Sequence, residues 1–403
     1  MLRSASLILL AGALVGTFAA APEITHACGG CFAPTGQPSV VTAHRMVVSV
    51  TDQETTLWDQ FEYGGDPENF VWVLPVAGGQ EVDVDVAEQS FFQFLADQTQ
   101  VTLQGPASSR GGSSIGCSAS DGAYGPTASA TNVTIYAQEV VGPYETVTIG
   151  AEDAGSLVGW LTDNDYVVPD ALLPTIAHYV AQDMNFVVLR LSPTAGVSQM
   201  QPVRVTTPGA HVSFPLRMIA AGIGTTVSLE LFLIAEGRWE AQNFPNAEVD
   251  EADLVYDWAT STFNYDDVVA DVLASNDGRT WLTEFSAAVY PPAPSLYVTY
   301  EDGAYHGPRD DWDVATRHIT DMVTVTRMRA ELPASALAND LVLQASTLGT
   351  RPGLVIVDNE VNRNVSTTPG RTDSNESPTS FLFMVAFAVA MVLRPGRRWR
   401  AAA

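Results

Sequence analysis

Three runs, VVTAHRMVVSV (Val40–Val50), TTLWDQFEY (Thr55–Tyr63) and FVWVLPV (Phe70–Val76), decide the fold class. They are dense in β-branched and aromatic residues, which pack well on a pleated surface. Gly64, Gly65, Asp66 and Pro67 supply turn chemistry between the last two, so the reading is an antiparallel meander. Farther along, Val133–Val141 and Thr146–Ile149 flank Gly142 and Pro143 as a second hairpin. In Thr225–Ile234, Val227, Leu229, Leu231 and Leu233 alternate with Ser228, Glu230 and Phe232, the period-two signature of a strand. Helical periodicity intervenes at Ala87–Gln98, where Phe91, Phe92 and Leu95 share a face, and at Glu152–Asp163, where Leu157, Val158 and Leu161 do. It recurs at Asp170–Gln182, with Leu172, Leu173, Ile176 and Val180 inward, just before a strand at Asn185–Leu191. The sum is an α+β fold of antiparallel, β-rich sheets with a few covering helices.

About 350 residues lie between the terminal segments, more than one ordinary core accommodates, and two domains are expected. The first runs over 28–238 and the smaller second over 254–358, with the polar, acidic Asn243–Asp253 between them. In the second half a helix is expected near Asp266–Ala274, and strands near Ser295–Tyr300, Met322–Met328 and Leu341–Ala345. Asn359–Ser377 has almost no apolar residues and reads as a disordered tether.

The two ends carry addresses. Residues 1–27 hold Arg3, an apolar run from Ser6 to Ala21 and small residues at two cleavage points, after Ala21 and after Ala27, as a secretory signal does. Lipidation of Cys28 needs a small apolar residue three positions earlier, which Thr25 and His26 match poorly. Residues 378–403 hold the apolar run Phe381 to Leu393, closed by Arg394, Arg397, Arg398 and Arg400. At about 1.5 Å per residue a helix between Pro378 and Pro395 reaches about 24 Å, short of the roughly 30 Å of bilayer hydrocarbon. The arginines would stay cytoplasmic, leaving the body outside. The expected location is therefore the cell envelope, membrane-anchored or surface-displayed.

All 19 basic residues are arginine, against 46 acidic ones. Without Arg3, Glu23 and the four tail arginines the body keeps 14 against 45, a charge of −31. That sign repels nucleic acid and keeps a chain soluble. The membrane, through the C-terminal helix, and a sorting protease are the expected partners; the ligand is open.

Cys28-Gly29-Gly30-Cys31-Phe32, then Phe61 through Asp66, the Phe70–Val76 strand, Gly159-Trp160-Leu161 with Tyr166 and Pro169, and Tyr179 to Leu191 resemble the DUF2330 family of exported bacterial proteins. The likeness spans 28–238, weakens beyond, and brings no catalytic residues. The tail is similar in layout to the C-terminal sorting signals of myxobacteria and exosortase-bearing bacteria, although no cysteine precedes its apolar run.

Three cysteines, Cys28, Cys31 and Cys117, leave one unpaired after a single disulfide. Cys31 pairs with Cys117 if Cys28 is lipidated; otherwise Cys28 and Cys31 bridge locally and Cys117 is free. A redox Cys-x-x-Cys belongs at a helix N-terminus after a strand, a setting that the glycine-filled mature start lacks. Gly112-Ser113-Ser114-Ile115-Gly116 fits the G-x-S-x-G pattern, but its Gly/Ser/Ala-rich surroundings offer no strand-turn-helix elbow for Ser114. His26, His44, His178, His211, His306 and His318 are scattered. Glu301, Asp302, Asp310, Asp311 and Asp313 beside His306 lack the spacing of a calcium loop and read as surface acidity. Trp58, Trp72 and Trp160 read as core rather than sugar-stacking residues. No catalytic, metal or cofactor residue is assigned. The expectation is a non-catalytic binding or structural protein, with a secreted hydrolase or a redox or metal-handling protein as alternatives.

Overall fold

A computed structural model describes residues 31–32, 40–64, 71–78, 82–106, 134–164, 173–192, 200–220, 225–301 and 304–362. The architecture is α+β, as expected. Its central sheet has eight strands, in the order Asn246–Ala247, Trp281–Ala288, Val323–Pro333, Thr226–Glu236, Val40–Val50, Glu54–Gly64, Val203–Pro208 and Asp83–Val86. A second sheet of five runs Cys31–Phe32, Val71–Val76, Asn185–Leu191, Tyr144–Gly150 and Thr134–Val141. Among the described residues six helices cover them: α1 (Gln89–Gln98), α2 (Ala154–Asp163), α3 (Leu173–Val180), α4 (Leu216–Ile219), α5 (Tyr265–Gly278) and α6 (Pro308–Thr316).

The first two runs pair as read. A Thr51–Glu54 turn, closed by Thr51 N–H donating to the Glu54 carbonyl at 2.9 Å, folds 40–50 back antiparallel on 54–64. The third run departs from the expected meander. Residues 72–76 are all buried, so this strand needs partners on both edges, and it takes 185–191 and Cys31–Phe32 in the other sheet. Strand 226–236 is the sheet's hub: it lies parallel to 40–50 and antiparallel to 323–333 over eleven residue pairs.

Those eleven pairs join strands from either side of the expected division after Arg238 as neighbours in one sheet. The expected linker is folded too: Phe244 and Val249 are buried, and Asn246–Ala247 pairs parallel with 281–282. Among the described residues the apolar core falls into five clusters and the strands into several sheets, an arrangement that suggests more than one unit. The first residues of the segment expected as a tether are folded. Glu360–Val361 pairs with Tyr256–Asp257, and the Asn359 amide donates to the Ala252 and Leu254 carbonyls. The tail from 363 onward, with Phe381, Leu393, Arg394, Arg397, Arg398 and Arg400, lies outside the described residues.

Alternation sorts the hub strand's side chains. Val227, Leu229, Leu231 and Leu233 join Met46, Val48, Trp281 and Met328 under α4 and a small sheet. Phe232 and Ile234 face the other way, onto Phe91, Phe92 and Phe94 of α1 and Trp312 of α6. The five-stranded sheet turns Trp72, Leu74, Val187 and Leu189 toward the central sheet, and Val73, Ile149, Phe186 and Val188 toward α2 and α3. Asp153 caps α2 by accepting the Ser156 N–H at 2.9 Å.

Candidate functional site

Where the two sheets separate, the packing leaves a crevice. Its outer part, about 240 Å³, is walled by Leu57, Leu74, Val76, Val205 and Phe214. A smaller inner part, about 30 Å³, shares Leu57, Leu74, Phe214 and Pro215 and is floored by Asp59 beside Trp72 and Met46. Next to the lining residue Ala77, Gly78 packs against the backbone: a Cβ there would lie 1.7 Å from the Asp183 carbonyl oxygen, so only glycine allows this approach.

Three polar side chains at the rim, Thr55, Thr207 and His211, are engaged. Thr55 Oγ1 donates to the Gly209 carbonyl at 2.9 Å and accepts the His211 N–H at 2.7 Å. His211 Nε2–H donates to the Pro208 carbonyl at 2.8 Å, and the Thr207 hydroxyl reaches the Thr55 carbonyl at 3.3 Å. On the floor Asp59 lies 3.2 Å from Nδ1 of the fully buried His44. What remains open is mostly apolar surface. An apolar lining with a few fixed polar groups suits a small ligand, and the volume is below the usual 300–1,000 Å³, which favours a short apolar group.

On the opposite face of the central sheet, between α1 and α6, lies a closed polar junction. Asp311 of α6 is 1% exposed; its Oδ1 accepts the Trp58 indole N–H at 2.8 Å and the Arg204 guanidinium at 2.9 Å, and its Oδ2 accepts the Glu88 N–H at 2.7 Å. Burial pushes the Asp311 carboxyl up from the ordinary aspartate range, while these three donors restrain it. Arg204 continues to Asp85, so one carboxylate ties α6 to three strands and the start of α1.

Farther along the same face, alternating charges cross four strands. Glu230 pairs with Arg45 at 2.6 Å and Arg327 at 2.5 Å; Glu284, 6% exposed, pairs with Arg327 at 3.2 Å and Arg329 at 3.4 Å. Tyr265 stands near Glu284, and burial, reinforced by that carboxylate, pushes its phenol up to about 12. Tyr179 donates to Asp340 at 2.6 Å, and burial together with that bond raises its phenol well beyond the ordinary range. Tyr144, buried among the inter-sheet side chains and donating to the Gln201 carbonyl, is raised in the same direction by burial.

The residues singled out in the sequence do not converge. Cys31 stands opposite Trp72 in strand register, whereas Cys28, Cys117 and Ser114 lie outside the described residues. The acidic group is dispersed: Asp311 is buried, Asp313 pairs with Arg309 at 2.8 Å, and His306 lies 3.4 Å from Glu88. Among the described residues, no three or more His, Cys, Asp and Glu side chains are gathered as a metal ion needs. Trp58, Trp72 and Trp160 are 0%, 4% and 8% exposed and pack as core. Neither the crevice nor the Asp311 junction was singled out beforehand.

A family described as an uncharacterized protein conserved in bacteria, DUF2330, matches residues 22–340. The chain belongs to the DUF2330 family. The match runs well past Arg238, through the strands that complete the central sheet, so the DUF2330 unit takes in both expected domains apart from the last strands. No curated protein and no solved structure matches the chain.

Proposed function

We propose that this DUF2330 protein is exported, tethered to the cell envelope by its C-terminal segment, and works there by binding, holding a short apolar group in the inter-sheet crevice. The carrying observation is the crevice: its open surface is mostly apolar, and the Thr55 and Thr207 hydroxyls and the His211 Nε2–H at its rim are committed to backbone carbonyls. Export and tethering rest on residues 1–27 and on Phe381–Leu393 with its trailing arginines. Among the described residues no helix is long and apolar enough to cross a membrane.

Two measurements test the reading. Terminal-peptide mass spectrometry of the native protein from fractionated cells should find a mature start near Cys28. Retention of Arg400 means an anchor, and loss of the tail beyond about Ser377 means a sorting signal cut by a protease; an intact Met1 in the cytosolic fraction would overturn the proposal. For the crevice, the neutral dye N-phenyl-1-naphthylamine should brighten on binding the full chain and should be displaced by short-chain alcohols or fatty acids. A dye signal indifferent to substitution at Ala210, on the crevice rim, overturns the assignment of the site.

A further inference from the structure

Strand Asp83–Val86 ends the eight-stranded sheet, and among the described residues nothing pairs with its outer edge. Ala87 N–H donates to the Pro202 carbonyl at 2.8 Å, which sets the alternation of the antiparallel ladder with 203–208. Asp83 and Asp85 then direct their backbone groups inward, and Val84 and Val86 direct theirs outward. The Val86 N–H is already taken by the Asp85 carboxylate at 2.9 Å. Val84 is left presenting both N–H and C=O to the outside.

That edge borders a groove of about 840 Å³, walled by Val82, Asp83 and Val84 on one side and by Tyr136 and Glu139 of the outermost strand of the other sheet on the opposite side. Glu54 and Arg317 at one end neutralise each other through two bonds of 2.6 Å. Arg317 also lies near Asp83, yet with Glu139 the lining sets three carboxylates against one guanidinium, so the groove is acidic. An open strand edge is a template for another strand. A second copy of this chain would set these carboxylates against their own kind, whereas a basic segment would meet opposite charge.

We propose that this groove docks an extended, arginine- or lysine-bearing peptide segment of a partner protein, added as a strand along Val82–Val84. The site is separate from the apolar crevice and stands or falls independently of it. Main-chain bonds at Val84 supply the pairing, Asp83 and Glu139 select the charge, and the exposed ring of Tyr136 offers an apolar contact to alternate side chains.

The test uses the full chain and capped octapeptides alternating valine with arginine or with glutamate, read by calorimetry at low and physiological salt. The arginine peptide should bind and weaken with salt; the glutamate peptide should not bind. N-methylating alternate residues of the arginine peptide removes ladder bonds without touching the protein, and should weaken binding about tenfold or more. Val84→Pro, which deletes an outward N–H where an edge strand tolerates proline, should do the same. The joint change Asp83→Asn with Glu139→Gln should erase the preference for arginine. No binding by the arginine peptide, equal binding by both peptides, or full-strength binding after N-methylation overturns strand addition here.

Discussion

The inter-sheet crevice and the Asp311 junction lie on opposite faces of the same sheet and solve opposite problems. At the junction a helix, three strands and a helix start converge on one buried carboxylate, and every donor within reach is used. In the crevice two sheets are held apart by Leu57, Leu74 and Phe214, and the polar rim is satisfied by its own backbone. The difference teaches where this fold is rigid and where it has room. Removing a charge from the junction strands its partner in low dielectric, whereas adding a side chain to the crevice mouth displaces only solvent or ligand.

The largest effect should come from Asp311→Ala. It leaves Arg204 half-paired and the Trp58 and Glu88 donors without an acceptor, and breaking such a buried pair costs about 3–5 kcal/mol; urea unfolding should show it, and a loss under about 1 kcal/mol would mean that the junction is slack. Gly78→Ala, beside the crevice-lining Ala77, forces the backbone away from Asp183 and should cost about 1–3 kcal/mol, as overpacking does.

Alkaline pH probes buried phenols elsewhere in the fold. Tyr144, Tyr179 and Tyr265 all have raised phenols, so the folded chain keeps protons that the unfolded chain has lost. Their contribution is full below about pH 10, the ordinary tyrosine value, and is lost as pH rises through 10 toward about 12 for Tyr265. Melting temperature should fall across that window while ultraviolet titration shows a late-ionising subset of tyrosines. Ordinary titration of all phenols in the folded protein would contradict this. The smallest effect on stability belongs to Ala210→Phe at the exposed rim, within about 0.5 kcal/mol of wild type. It should nevertheless cut dye binding severalfold, which separates occupancy of the crevice from integrity of the fold.

Much of the element content was legible because alternation survives in single strands. Val227, Leu229, Leu231 and Leu233 announce one buried face whatever the neighbours are. Pairing was not legible, since nothing local in Val71–Val76 names 185–191 as its partner, and nothing in Val40–Val50 points to a parallel neighbour at 226–236. Asp311 was grouped with surface acids because Asp310 and Asp313 flank it. The contrary signal was present: Pro308, Asp311, Trp312 and Ala315 recur at helical spacing, and all four are buried. Arg204 between Val203 and Val205 was a second sign, a charge on a strand whose other residues face a core. The crevice was invisible because it is a property of the gap between two sheets and belongs to no single segment.

The parallel pairing of 40–50 with 226–236 also constrains the order of events in folding. A ribosome delivers the chain from its N-terminus, so the first strand of the central sheet must wait for residues 51–225 to emerge before its inner neighbour exists, and for Val323–Pro333 before that neighbour is itself covered. Such long-range closure is slow. Until Pro333 arrives, the hub strand has one bare edge, and any product truncated before that point carries a long apolar strand with an unsatisfied ladder. The last third of the chain therefore acts as the seal on the first.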